Sequence, residues 1–378
     1  MQRQNPRDGS KPPRTLQPVG TPGIAGPFQP CLATLIGLTW AVAALFTGNQ
    51  AFGCAACGCS LGTDGPTGLQ VTPGWRLDLQ FDYINQDQLR HGSGTITPDQ
   101  VAALNSASTG TVQEVEHQTI NRYTTLGLTY APDTRWSFKL LVPIIDRSHS
   151  TYGPATSPVT SGQLSSATVT GLGDVKFLAS YLGLLPDQSL GIQFGVKLPT
   201  GNYGGQNGGN GPVVGRNPVS FGPGGNSGGM LLDTSLQAGT GSTDLILGGH
   251  YFRPVSENLN AYVTVQFQAA VKERLNQSGS DFRPGNQENL SLGLRYESDP
   301  RVVPQFQVNL VHKGPDQGAL ADTEDTAGTV AYLSPGVNVN FMSGLQTFAF
   351  VQLPVVSNLA GYQLFPRWTA SVGVAYHF

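Results

Sequence analysis

Charge is scarce in this chain. Only 12% of its 378 residues are Asp, Glu, Lys or Arg, about half the share usual in a soluble globular domain. Long apolar runs are scarcer still. One stretch near the N-terminus apart, none reaches the roughly 18 residues of a membrane-spanning helix, which excludes a bundle of such helices. A basic excess is also missing. Net formal charge is −3, and the first 53 residues hold Arg3, Arg7, Lys11 and Arg14 against Asp8, so the remainder carries −6. Nucleic acid is thereby excluded as a partner, because a phosphate-binding surface needs a clear basic excess. What the chain does have is Gly, Tyr, Phe, Asn, Gln and Thr. That mixture suits a membrane β-barrel, whose strands show only half their residues to lipid.

The one apolar run is Leu32 to Phe46, preceded by a basic segment and followed by the small residues Gly48 to Ala56. This is the three-part layout of a secretory signal peptide. A single membrane anchor fits less well, since the run is short for a span of about 20 residues and no basic stop-transfer cluster follows. Residues 1–53 are therefore read as leader and signal, with cleavage after Gly53 or Ala55. A lipoprotein cut before Cys54 lacks the usual Leu three residues ahead.

From Gly74 onward the sequence alternates with period two. Trp75, Leu77, Leu79, Phe81 and Tyr83 are apolar or aromatic, while Arg76, Asp78, Gln80 and Asp82 are polar. A period of two places these sets on opposite faces of one strand. The pattern recurs at 136–142, 174–181, 190–198, 290–296, 306–310 and 368–378. A soluble sandwich could alternate in the same way, so the connections decide. Short links at 131–134, 183–188, 253–258, 297–301 and 340–343 alternate with long ones at 84–117, 146–172, 199–240, 270–286, 313–328 and 355–366. Outer-membrane barrels segregate tight periplasmic turns from long external loops in this way. The expectation is an all-β, transmembrane, antiparallel up-and-down β-barrel over residues 75–378, with twelve strands and both ends in the periplasm. Tyr130, Trp136, Tyr181, Tyr251 and Tyr296 flank the short turns, where an interfacial girdle belongs. The final strand ends on Phe378 with apolar residues at every second position before it, resembling the signal read by the outer-membrane assembly machinery.

The strand phase directs Arg76, Asp78, Asp82, Lys139, Asp174, Lys176, Lys197, Asp244 and Arg295 into the lumen. A Lys or Arg on the lipid face would cost about 2–4 kcal/mol at the midplane. Five positive and four negative side chains predict no strong ion selectivity and fit either permeation or a cross-linking network. A weak repeat, Gly171-x-x-Asp174-(x)6-Tyr181 and Gly241-x-x-Asp244-(x)6-Tyr251, is explained by shared hairpin geometry.

Catalysis is not expected. Asp146-Arg147-Ser148-His149-Ser150 is the nearest approach to a hydrolase constellation, but neighbours on one strand point to opposite sides and no partner acid is identifiable. The Gly- and Asn-rich segment 199–229 is not followed by Lys-Ser or Lys-Thr, so it is an external loop that folds over the pore, not a nucleotide cradle. No cofactor is implied.

Cys54, Cys57 and Cys59 occupy a segment, 54–74, assigned to the periplasm, while Cys31 falls within the signal. In an oxidising compartment such thiols pair, and a Cys54–Cys57 disulfide would leave Cys59 odd. Alternatively, the thiolates hold a soft metal or contact a periplasmic redox or metal protein. No His follows Cys57, so c-type haem attachment is not supported.

Gly171-Leu-Gly-Asp174-Val, Gly195-Val-Lys-Leu-Pro-Thr-Gly201 and Leu333-Ser-Pro-Gly336-Val resemble segments of the outer-membrane transporter family linked to the meta pathway of phenol degradation. The resemblance runs from about residue 170 to the C-terminus and implies uptake or export of small molecules, hydrophobic ones among them. The C-x-x-C near the mature N-terminus is similar to that of barrels sheathing multihaem cytochromes in extracellular electron transfer. Two functions follow: a passive channel for small solutes in the outer-membrane lipid, or a scaffold engaging a periplasmic redox partner through the cysteines.

Overall fold

Along the first strand, Trp75, Leu77, Leu79 and Phe81 are 39–49% exposed, whereas Asp78, Gln80 and Asp82 are 1–4% exposed. A soluble sandwich would bury the first set. Here the polar face is inside and the apolar face outside, the inversion that a lipid solvent requires. Residues 71–109, 112–203, 220–222, 225–272, 282–318 and 321–378 are described by the computed structural model. Expectations for residues 1–70, the signal and cysteine segment included, fall outside them.

The chain forms β1 (Gly74–Gly92), β2 (Gly94–Thr95), α1 (Pro98–Ala107), β3 (Glu116–Ala131), β4 (Trp136–Thr151), β5 (Ser165–Leu172), β6 (Val175–Tyr181) and β7 (Leu190–Leu198). It continues with β8 (Ser220–Gly222), β9 (Gly225–Leu231), β10 (Thr243–Pro254), β11 (Leu259–Lys272), β12 (Gln287–Tyr296), β13 (Val302–Lys313), β14 (Gly328–Met342) and β15 (Leu345–His377). Eleven of these strands close an antiparallel barrel in the order β1, β3, β4, β6, β7, β10 to β15, with β15 back against β1. An odd number of single staves cannot close with every neighbour antiparallel. The resolution lies in β15, whose first half pairs with β14 (Met342↔Leu345 to Gly328↔Leu359) and second half with β1 (Gly92↔Leu359 to Arg76↔His377). The strand folds back near Gly361, so it supplies two staves and the barrel has twelve.

The external loop expected at 355–366 is thus corrected to a tight reversal inside a continuous strand. Its turn is carried by Gly361 at φ 47°, a left-handed conformation that suits glycine. The loops expected from residues 84 and 146 also begin later, because β1 and β4 continue to Gly92 and Thr151. Ser165–Leu172, expected within a loop, is strand as well. In these stretches inward apolar residues such as Leu89, Ala167 and Val169 are buried, so the polar-in, apolar-out alternation of the lipid-facing wall does not mark them.

All five expected short turns are present, each between strands that end beside it. Around them Trp75 packs against Tyr130 with ring centroids 4.7 Å apart and planes tilted by 36°, and Trp136 against Tyr181 at 4.7 Å and 43°. A second aromatic pair, Tyr83 and Trp368 at 5.7 Å, marks the other rim. Eight residues from Trp75 to Tyr83 span about 27 Å of strand, or about 20 Å along the normal at a tilt near 40°. The barrel closes through Phe378, whose N–H donates to the Trp75 carbonyl at 2.8 Å and whose carbonyl accepts from the Trp75 N–H at 3.0 Å.

Candidate functional site: the barrel interior

Of the nine charged residues singled out from the strand phase, Asp78, Asp82, Lys139, Asp174, Lys197 and Asp244 are at most 7% exposed. Three of them form one cluster. Lys197 on β7 stands 3.2 Å from Asp174 Oδ2 and 3.1 Å from Asp244 Oδ2, with all three side chains at most 7% exposed. The Asp residues of the Gly-x-x-Asp repeat therefore converge on one ammonium group. Register explains it: Lys197 lies directly opposite Asp244 on β10 and Lys176 on β6. Lys176 in turn donates to Gln268 Oε1 (3.0 Å), whose amide donates to Asp244 Oδ2 (2.6 Å). Buried charges of both signs, each hydrogen-bonded, are the arrangement that a low-dielectric interior tolerates.

This cluster also grips the long loop between β7 and β10. Asp174 accepts from the Gly201 N–H (3.1 Å), the Thr240 N–H (2.9 Å) and the Thr240 hydroxyl (2.8 Å). Ser242 donates to Asp244 Oδ1 at 2.6 Å, and Lys197 Nζ donates to the hydroxyls of Thr240 and Ser242. Higher up, Arg147 holds the same loop. Its guanidinium donates to Asn121 Oδ1, to the Tyr123 hydroxyl, and to the carbonyls of Ser235 (3.4 Å) and Gln237 (3.3 Å). Leu232, Leu236 and Ala238 then pack on Ala167 and Val169 of β5, beside Ile145. Val169 pairs with Arg147 and shares its inward face. Segment 232–242 is therefore folded inside the wall, a constriction that polarity alone did not announce. Gly- and Asn-rich residues 204–219 fall outside the described residues.

At the other end, Arg76 donates to Asp78 (2.6 Å) and Arg295 to Glu297 (2.9 Å). Asp82 accepts from Gln80 (2.9 Å) and from Ser371 (2.5 Å). Arg76, Lys139 and Arg295 line a cavity of ≈ 620 Å³ together with His250, Phe252 and His377. In the external loop before β14, burial and the neighbouring Asp322 push the Asp325 carboxyl up to about 7. Asp325 Oδ1 accepts from the Tyr362 N–H at 2.8 Å, tying this loop to the tip of β15.

His149 is inward and 3% exposed, with Nδ1 2.7 Å from Thr119 Oγ1 and Nε2 3.8 Å from Glu114. Ser150 lies on the opposite face and meets His117 Nδ1 at 2.9 Å. The serines flanking His149 are thus not brought to it. Cys54, Cys57 and Cys59 lie outside the described residues.

No family model matches the chain, and no curated protein does. Solved structures do. A crystallised outer membrane channel from Pseudomonas putida F1 superposes with a TM-score of 0.57 at 14% identity, over 84% of this chain and 100% of that one. The fold is an outer-membrane β-barrel. Below that level, the translocator domain of the autotransporter NalP from Neisseria meningitidis gives 0.42 at 11% identity, covering 92% and 96%. A Pseudomonas aeruginosa FadL homologue gives 0.39 at 11%, covering 81% and 90%. Likeness this distant carries no argument about what passes through the barrel.

Proposed function

We propose that the barrel is a passive outer-membrane channel for small solutes. The observation that carries this reading is the built interior: a closed wall, a charged and hydrogen-bonded lining, and one loop segment folded inside. A barrel serving only as an anchor has no need to hold a constriction with six or more hydrogen bonds from Asp174, Lys197 and Arg147. A hydrophobic solute range is supported by the motifs around Asp174, Lys197 and Gly336, which resemble the phenol-pathway transporter family. Catalysis has no part in the proposal. The nine charged residues then act as the lining that solutes meet.

Liposome swelling tests it. Vesicles containing the purified barrel should admit small bilayer-impermeant solutes such as arabinose and glycine faster than protein-free vesicles do, and reject oligosaccharides. Impermeability to all of them would overturn the reading.

A further inference from the structure

The nine lumenal charges are not evenly mixed. Asp174, Asp244, Lys197 and Lys176 neutralise one another within the loop-gripping cluster. Removing that set leaves five: Arg76, Lys139 and Arg295, which line one cavity at the periplasmic end, Asp78, which pairs with Arg76, and Asp82 farther along β1, which accepts from Gln80 and Ser371. At the periplasmic end, one row of directly paired residues crosses four adjacent staves: His377, Arg76, Thr129 and Lys139. Paired residues share a face, and all four line the ≈ 620 Å³ cavity. Thr129, short, stands between the two long cationic side chains, and the Arg76 guanidinium donates to Asp78. Arg295 stands on β12, six staves from β3 in the twelve-stave ring and thus on the opposite wall. Cations therefore approach the cavity from both sides.

Their acids are placed differently. Asp78 is recessed, its side chain 5% exposed and outside the cavity lining, while Glu297 lies at the rim and is 35% exposed. Among lining residues, three cationic side chains thus face one carboxylate. The rest of the wall mixes apolar Phe252, Leu182 and Val303 with amides and hydroxyls. The volume falls in the range of small-ligand sites, about 300–1,000 Å³. We propose that this periplasmic vestibule is a binding site for small organic carboxylates, held by Arg76, Lys139 and Arg295 with their apolar part against Phe252 and Leu182. The inference deepens the channel reading, naming the class of solute its lumen favours.

The test uses benzoate and its neutral analogue benzamide on the full barrel in detergent, read by calorimetry, which needs no conductance. Benzoate should bind about tenfold more tightly than benzamide, and Lys139→Gln or Arg295→Gln should each cost about tenfold, as loss of one charge-assisted contact implies. Arg295→Lys, which keeps the charge, should restore most of the affinity. In planar bilayers the reversal potential in a KCl gradient should take the sign of anion preference. Equal binding of benzoate and benzamide, unchanged affinity in both Gln variants, or cation preference would overturn the proposal. Specific benzoate binding in a barrel that never conducts would support the site and remove the channel reading. Conductance without these preferences would do the reverse.

Discussion

Lys197 holds two buried carboxylates apart from each other's field, and its loss would leave both uncompensated. Lys197→Met should destabilise the barrel by about 3–5 kcal/mol, the range for removing one partner of a buried ion pair, read by denaturant unfolding in detergent. Unchanged stability would mean that Asp174 and Asp244 are not charged neighbours. A second residue-scale prediction concerns Gly336. A Cβ there would lie 2.2 Å from the Phe350 ring, which is 2% exposed. Gly336→Ala should cost about 1–3 kcal/mol by overpacking, and Phe350→Leu in the same chain should recover part of it. An expected face for each charged side chain was legible in the sequence, because period two assigns one. Which charges meet was not. Asp174, Lys197 and Asp244 come together through register between strands up to 70 positions apart, and no local pattern encodes register.

The element that most changes the picture is segment 232–242. Its apolar residues, Leu232, Leu236 and Ala238, are too few and too irregularly spaced to mark an inward fold, and its anchors are main-chain carbonyls that every sequence has. Arg147→Ala removes the donor to the Ser235 and Gln237 carbonyls, so amide exchange across 232–242 should rise while that of β4 stays protected. Exchange unchanged there would refute the anchoring role. The β15 reversal was expected as a long loop at 355–366 for a related reason: Val355, Val356, Leu359 and Tyr362 mix with Ser357 and Asn358, so the sequence does not mark how tight the turn is. At the external loop carrying Asp325, a carboxyl pKa raised to about 7 means the folded loop holds its proton more tightly than the unfolded chain does. That stabilisation is complete below the ordinary carboxylate pKa and is lost as pH rises through about 7. Amide protection in residues 321–327, taken relative to the intrinsic exchange rate at each pH, should therefore fall between about pH 5 and 8, and Asp325→Asn should flatten that profile.

For the whole molecule, parity and polarity are the controlling facts. Alternation, segregated loop lengths and the aromatics beside short turns made the twelve-stave barrel readable before any coordinates. Closure runs along the whole β1–β15 seam, from Gly92↔Leu359 to Arg76↔His377, and ends where Phe378 meets Trp75 across two main-chain hydrogen bonds. The further expectation that Phe378 addresses the assembly machinery predicts that deleting it lowers the amount of folded barrel in the outer membrane without abolishing folding in detergent. Grouping of Arg76, Lys139 and Arg295 around one cavity is a property of the assembled barrel that counting five positive against four negative conceals.

Single-channel recording in planar bilayers, comparing the natural chain with one in which residues 232–238 are replaced by a short Gly-Ser link, tests the central claim most directly. A channel narrowed by its own inward segment predicts small discrete steps from the natural barrel and clearly larger ones from the variant. Silence from both barrels, with folding intact by heat-modifiable mobility, would contradict it.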